Sequence, residues 1–400
     1  MYKEYYSTGG MNDEDIVIGI SALNEENTIL NVINIVQEGL MRYFPEYKAT
    51  MVVAAGDSDD DTVDLASSIS LSGDIDLMVI NEDGKGKGAA IKALMEASQN
   101  LNAEMLGLVD GDLISIKPVW IAHMLEPLRY GITEFVSPRY IRGKHDGAIT
   151  KQFSYPLIST LFGQEIRQPI GGEMAMDSEL VELCLEQDEF PNTFGIDTFL
   201  TFTALAHDFR ISQAPLGPRF HASTGDYSDP TELLGPMFEQ VSQTTFDLVR
   251  KYRDKISSCS PMCRYRTPFR KFNNYKGLIP STPSVDKDLF WNEAREMIEK
   301  NEKIAEEISS NVDFDVIENI KNKKELGPQY WSRVVIDALH RYIEESDIDI
   351  VKALSGFWYA RYVSFIQETD DMDIQDTEQV VYNNYTEFSK RRNELIEGLQ

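Results

Sequence analysis

Cysteine is scarce in this 400-residue chain: Cys184, Cys259 and Cys263 are the only three, in no paired C-x-x-C spacing. Three thiols cannot build a disulfide framework and do not suit a structural zinc site, so a reducing, cytoplasmic location is expected. Long apolar runs are missing as well. No window approaches the ~18 uninterrupted apolar residues of a membrane-crossing helix, and Met1 to Gly10 carry charge and tyrosines in place of a signal-type apolar stretch. Positive charge is in short supply, with 38 Lys and Arg against 66 Asp and Glu and a formal net charge of −28. Such a surface repels phosphate backbones and anionic membranes, which argues against nucleic acid and membrane partners. The carboxylate excess fits solubility at high ionic strength, where salt screens self-repulsion. There is no G-x-S-x-G, H-E-x-x-H or kinase motif set, which sets aside the common hydrolase, zinc-protease and kinase chemistries.

What is present is ordinary globular composition, 42% apolar and 26% charged. The length suggests roughly two to three structural units. We expect a polar tail over 1–14, an α/β domain over 15–230 and a mainly helical region over 231–400 whose simplest role is packing and homodimer formation. Strand-like segments at 15–20, 49–55, 75–80 and 105–109 alternate with helical patterns at 24–40, 62–70 and 88–100. This repetition predicts a Rossmann-like, mostly parallel sheet flanked by helices. Mixed structure follows, including a strand at 135–140 and a helix at 197–207, and then helical periodicity such as 289–310 and 382–399, interrupted by the Pro/Ser/Asn-rich stretch 269–284.

In open α/β sheets the ligand lies at the carboxyl ends of the strands. That rule gathers three motifs: Ser21 to Glu26, Gly56 to Asp61, and Asp110-Gly111-Asp112. The two aspartates offer hard oxygen ligands to Mg²⁺ or Mn²⁺, and Gly111 permits close approach of a pyrophosphate. Gly84-Lys85-Gly86-Lys87-Gly88 opens a helix, where backbone amides and a lysine suit phosphate oxygens; a flexible helix-entry loop is the equally simple reading. Asn24 is a good helix N-cap with Glu25 and Glu26 at the positive end of the dipole, so capping accounts for that loop without any function. His221, in Gly217-Pro218-Arg219-Phe220-His221, follows a short strand and is the best imidazole candidate for a metal ligand among five histidines.

The order A-L-N-E-E, D-S-D-D-D-T, G-K-G, D-x-D, G-G-E and a late histidine resembles the retaining GT-A glycosyltransferases of family 81, the glucosyl- and mannosyl-3-phosphoglycerate synthases, over about residues 15 to 230. The resemblance implies a GT-A fold with a helical C-terminal extension. It implies a metal-dependent hexosyl transfer from UDP-glucose or GDP-mannose to a small acidic acceptor such as 3-phosphoglycerate or glycerate. Carried over by position, Ala22, Leu23, Asn24 and Glu25 form the nucleotide loop, Ser58 sits beside base and ribose, and Lys87 reaches the donor. Asp110 and Gly111 face the ribose or sugar, Asp112 and His221 hold the cation, and Gly171-Gly172-Glu173 lies near the transferred sugar with Asp197 a second carboxylate. Glu173, Asp197 and Asp110 are thereby the catalytic candidates.

Two departures stand out. Ser21 replaces a proline, and the acceptor loop, Gly-Arg-Val-Thr in the family, reads Gly147-Ala148-Ile149-Thr150 here. The missing arginine would clamp a phosphate or carboxylate bidentately; Arg142, Lys144, His145 and Lys151 are the nearby cations that could compensate. Two other readings stay open: an inverting family-2-like transferase acting on a polyprenyl phosphate or glycan, and a nucleotide-sugar-binding protein without catalysis.

Overall fold

The computed structural model describes residues 14–56, 58–80, 85–222, 230–259, 280, 285–312 and 315–400. Within them the chain divides into two compact units, Met1–Ile141 with Ile170–Ser223, and Arg142–Pro169 with Thr224–Gln400. The segment Arg142–Pro169 therefore belongs with the helical C-terminal unit, although sequence periodicity alone runs it on from the sheet region.

The first unit is built on strands β1 (Ile16–Ser21), β2 (Ala49–Ala54), β3 (Ile75–Ile80), β4 (Met105–Asp110), β5 (Phe135–Ile141), β6 (Ala175–Asp177) and β7 (Ile211–Pro218). They form one sheet in the order β3-β2-β1-β4-β6-β5-β7. β1 pairs in parallel with both β2 and β4, and β2 with β3. β5 and β7 are parallel to each other, while β6 runs antiparallel to β4 and β5. This is the mostly parallel, helix-flanked sheet expected from the strand–helix alternation.

Alternation along β1 explains its two-sided burial. Ile16, Ile18 and Ile20 join the cluster formed by Ile29, Val32, Ile33 and Val36 of α1 (Ile29–Tyr43) and Trp120, Ile121 and Met124 of α4 (Pro118–Arg129), whereas Gly19 faces Leu94 of α3 (Lys87–Asn100). A Cβ on Gly19 would lie 3.0 Å from the Leu94 side chain, so glycine lets that helix approach. The strands 16–21, 49–54, 75–80 and 105–110 each fall within a residue or two of the hydrophobic runs that predict them.

Three details differ from the sequence reading. The first helix begins at Ile29, not at Asn24, because Asn24 takes a left-handed φ of 59° and its side chain bonds a neighbouring loop rather than capping a helix. The helix expected over 289–310 is broken into Lys287–Lys300 and Glu302–Ile308 at Asn301, whose side-chain amide donates to the Met297 carbonyl in competition with the backbone. Likewise 382–399 is divided between Ile374–Lys390 and Arg392–Glu397. The Pro/Ser/Asn-rich stretch lies almost wholly outside the described residues. Among the described residues no helix is long and apolar enough to cross a membrane.

Ile18 is completely buried at the centre of the sheet. Ile18→Ala should cost about 2–5 kcal/mol of stability through lost transfer energy and an unfilled cavity, read as a shift in the urea midpoint with unchanged slope.

Candidate active site

Register places the site. Ser21 pairs with Ala54 on one side and with Asp110 on the other, so the ends of β1, β2 and β4 finish level. Gly111 N–H donates to the Ser21 carbonyl at 2.8 Å and Ala22 N–H to the Ala54 carbonyl at 2.9 Å, carrying the alignment one residue past the strands. A Cβ on Gly111 would lie 2.9 Å from that of Ala22, so the glycine between the aspartates is needed for this close approach.

The loops after β1 and β2 are stitched together. Asn24 N–H donates to Ser58 Oγ at 3.1 Å, and Asp59 N–H donates back to Asn24 Oδ1 at 2.8 Å. Glu25 N–H donates to Thr62 Oγ1 at 2.7 Å and Glu26 N–H to Asp60 Oδ2 at 3.0 Å. The expected nucleotide-loop residues Ala22 to Glu25 and Ser58 thus share one edge, with Leu23 exposed there. Burial pushes the Glu25 carboxyl up to about 7, the Thr28 hydroxyl working against the shift and Asp112 and Asp110 adding to it. Asp57 and Gly84 lie outside the described residues.

β6 brings in the third carboxylate. Because it runs antiparallel to β4, the residues before it arrive beside the carboxyl end of β4: Met174 accepts from Leu108 N–H at 2.7 Å, and Gly172 falls against Asp110. A Cβ on Gly172 would sit 1.9 Å from Asp110 Oδ2, in space that the carboxylate itself occupies.

Around Asp110 the side chains form a charged cluster. Ser21 Oγ donates to Asp110 Oδ1 at 3.3 Å, Lys87 Nζ lies 3.3 Å from the same oxygen, and Arg219 Nη2 lies 3.0 Å from Oδ2. Lys87 also pairs with Asp197 at 3.3 Å, and Arg219 Nε with Glu173 Oε2 at 3.4 Å. Burial opposes the charge of Lys87, but Asp110, Asp197 and Glu173 outweigh it and raise its pKa. Burial pushes the Glu173 carboxyl up to about 7, against Arg219 and with Asp110. Burial also raises Asp197, with Lys87 opposing. Glu173 Oε1 is buried and takes no hydrogen bond from the described residues.

Past β7 the chain crosses to the D-G-D loop. Ile114 N–H donates to the Phe220 carbonyl at 2.9 Å, His221 bridges to Leu113, and Ala222 N–H donates to the Asp112 carbonyl at 3.0 Å. His221 Nδ1 consequently lies 3.4 Å from Asp112 Oδ2. A carboxylate oxygen and an imidazole nitrogen side by side, 109 residues apart in sequence and fixed through their backbones, are a donor pair that fits Mg²⁺ or Mn²⁺. No group of three or more His, Cys, Asp or Glu side chains that could hold a metal occurs among the described residues, so oxygens of a bound ligand would have to complete such a site.

Sequence reasoning gave Arg219 no role. The available signal was its place in the Gly217-Pro218-Arg219-Phe220-His221 stretch, two residues before His221. The glycines of the G-K-G motif also have a different explanation from phosphate binding: a Cβ on Gly86 would lie 2.3 Å from the Asn192 carbonyl oxygen and one on Gly88 1.9 Å from that of Pro191, and Gly88 N–H donates to Asn192. They allow α3 to seat Lys87 against the 191–193 backbone.

The expected acceptor residues Arg142, Lys144, Gly147 and Thr150 belong to the second unit, and their cations have partners there. Arg142 Nη1 lies 3.2 Å from both oxygens of Asp146. Lys144 Nζ donates to the carbonyls of Thr369, Asp370 and Met372 at 3.0, 2.7 and 2.9 Å, capping a helix end. Lys151 Nζ is buried on the carbonyls of Gly143 and Lys144, and burial brings its pKa down to about 8. Burial, assisted by Lys151 and Lys144, takes His145 down to about 4. Lys144, Lys151 and His145 thus have hydrogen-bond partners within the local structure. Gly147 turns the chain at φ +70°, and Thr150 is buried.

Gly172→Ala should push the Asp110 carboxylate off Lys87 and Arg219, lowering turnover by about 100-fold, the scale of a misplacement near 1 Å, and lowering the melting temperature as well because buried ion pairs are broken. The raised Glu173 pKa fixes a second outcome. Between about 4.5 and about 7 the folded chain binds more protons at this carboxyl than the unfolded chain, so its contribution to stability falls as pH rises across that window. Denaturant titrations should show Glu173→Gln reducing that decline.

Residues 17–179 match the sequence model of Glycosyl transferase family 2. The curated glucosyl-3-phosphoglycerate synthase of Petrotoga mobilis is 26% identical over 296 residues, 70% of this chain and 86% of that protein. Among solved structures, glucosyl-3-phosphoglycerate synthase from Mycobacterium tuberculosis in complex with Mn²⁺, UDP-glucose and phosphoglyceric acid is similar at 23% identity and a TM-score of 0.47, over 60% of this chain and 80% of that one. A second crystal structure of that enzyme with the same three ligands gives 26% identity and a TM-score of 0.46, over 59% and 79% of the two chains. The resemblance read from the motif order is thus met by the family model and the curated relative, and the chain is a glycosyltransferase similar to the glucosyl-3-phosphoglycerate synthases.

Proposed function

We propose that this enzyme transfers glucose, with retention of anomeric configuration, from UDP-glucose to 3-phosphoglycerate, and that free glycerate competes as acceptor because Ala148 stands where the family places arginine. The observation that carries the reading is the convergence of Asp110, Asp112, Lys87, Glu173, Asp197, Arg219 and His221 at one sheet edge. The Petrotoga relative's name supports the glucosyl donor over a mannosyl one.

Charge sets the order of events. Four carboxylates, Asp110, Asp112, Glu173 and Asp197, face two cations, Lys87 and Arg219. A nucleoside diphosphate brought to this edge would meet excess negative charge. Asp112 and His221 would hold Mg²⁺ or Mn²⁺, which when bound supplies the positive charge that offsets the departing diphosphate. The protein's own part is preorganisation: Lys87 and Arg219 keep Asp110 oriented toward the sugar or ribose, and the Ala22–Glu25 and Ser58 loops position the nucleotide. Glu173 and Asp197 are each clamped by a cation, which disfavours free movement of either as a nucleophile. Transfer therefore proceeds on the front face, the leaving phosphate taking the acceptor's proton. The reading includes a cytosolic homodimer.

The test is incubation with Mg²⁺ or Mn²⁺, UDP-glucose or GDP-mannose, and 3-phosphoglycerate or glycerate, with products followed by mass and anomeric NMR. An α-linked glucosyl product is expected; an inverted anomer would overturn retention and favour the family-2-like alternative. Asp112→Ala and His221→Ala should each lower metal-stimulated turnover on the order of a hundredfold or more, and wild-type rates in both would refute the metal site.

A further inference from the structure

β5 and β7 do not keep step along their whole length. Ala214 pairs with Pro138 and Pro215 with Arg139, but the next pair is Gly217 with Tyr140, so Leu216 is an extra residue in β7. Bulges are rare between parallel strands and recur beside active sites, where they re-aim a side chain. Here the insertion decides which face receives Arg219. Val136 and Tyr140 of β5, with Ala214 and Leu216 of β7, lie in the core cluster that includes α1 and α4. Strict alternation from Ala214 would send residues 216 and 218 to that face and Arg219 to the opposite one. With Leu216 inserted, Gly217 takes the place beside Tyr140. Arg219, whose N–H still donates to the Ile141 carbonyl at 3.0 Å, then falls on the face that carries Tyr140. Gly217 makes this possible with a φ of +80°, a conformation that side chains disfavour.

On that face the Tyr140 ring is a platform. Arg219 Cζ lies over it, 5.5 Å from the ring centroid. Both side chains are buried, so the attraction between guanidinium and ring is little weakened by water. The ring is itself held: Trp120 of α4 packs against it at 6.4 Å between centroids, and a Cβ on Gly171 would lie 3.3 Å from it. Gly171 thus lets the backbone close on Tyr140, as Gly172 lets it close on Asp110. Because a guanidinium is planar, a ring that sets its plane also directs its N–H edge. That edge meets the cluster, with Nη2 3.0 Å from Asp110 Oδ2 and Nε 3.4 Å from Glu173 Oε2.

From this geometry we infer that Tyr140 and the Leu216–Gly217 bulge are a positioning device for Arg219: the bulge delivers the arginine to the correct face, and the ring fixes its plane so that it meets Asp110 and Glu173 together. The inference deepens the proposed transferase reading and rests on it for its effect on turnover. Tyr140 acts through Arg219 and not on the substrate.

The test uses the full-length enzyme with Mg²⁺, UDP-glucose and 3-phosphoglycerate. Tyr140→Leu should lower kcat by about tenfold or more, since small misplacements at a reacting centre are costly, while Tyr140→Phe, which keeps the ring, should stay within about twofold of wild type. Gly217→Ala asks the same question without touching the ring, and is the variant to use if Tyr140→Leu does not fold. A Cβ there would meet nothing within 4 Å, so the loss it causes comes from the backbone conformation. In an Arg219→Gln background, adding Tyr140→Leu or Gly217→Ala should change kcat by less than about twofold, because the residue being positioned is gone. A readout independent of turnover is the Arg219 Nε–H resonance, assigned by its loss in Arg219→Gln. It should be displaced by the Tyr140 ring, kept in Tyr140→Phe, and moved to the ordinary arginine range in Tyr140→Leu. If Tyr140→Leu costs the same factor with and without Arg219, or leaves that resonance in place, Tyr140 is a packing residue and the inference is overturned. If the wild type transfers no glucose, the functional reading fails, and the resonance alone decides whether Tyr140 positions Arg219.

Discussion

The Asp110 carboxylate is held from four directions, by Ser21, Lys87, Arg219 and the bare backbone of Gly172, and most of the site is defined by what that requires. Lys87 must enter on a helix packed so closely that Gly86 and Gly88 cannot carry side chains. Arg219 must arrive from β7, and Gly172 from a short strand running against its neighbours. Remove the antiparallel β6 and neither Gly172 nor Glu173 would reach the carboxyl edge of β4. A carboxylate fixed in this way has little freedom to turn toward another partner, which is what preorganised electrostatics needs.

The same side chains leave the edge short of positive charge. Lys87 and Arg219 are committed to ion pairs inside the cluster, so in the proposed reaction an incoming diphosphate would require a further cation, for which Asp112 and His221 would supply ligands. The raised pKa of Glu173 has a related origin: burial removes the water that would stabilise its charge, and Asp110 adds repulsion that Arg219 offsets only in part.

In the second unit the basic residues of the 142–151 segment have structural partners. Arg142, Lys144, His145 and Lys151 form a cluster of basic residues beside Gly147 to Thr150, as a phosphate site would need. Each has local partners: a carboxylate for Arg142, carbonyls for the two lysines, and Thr369 for His145. A basic side chain also satisfies helix-end and turn carbonyls, and nothing in composition distinguishes that use from ligand binding.

Much of the sheet was legible because strand and helix follow from local periodicity: β3 spans 75–80 as its apolar run does, and β1, β2 and β4 lie within a residue or two of theirs. The convergence of the A-L-N-E, D-S-D-D-D-T and D-G-D loops was legible for the same reason, since parallel strands in register end level. Asn24 was misread because N-cap preference is a local rule, and a loop 34 residues away took its hydrogen bonds instead. The sequence by itself determined the α/β repeat, the edge where ligands gather and the residue types present there. Only the tertiary structure decided that Arg219 joins Asp110, that His221 lies beside Asp112, that glycine is required at 172, and that residues 142–169 pack with the helical tail, because these depend on strand direction, register and long-range packing that no local sequence pattern encodes.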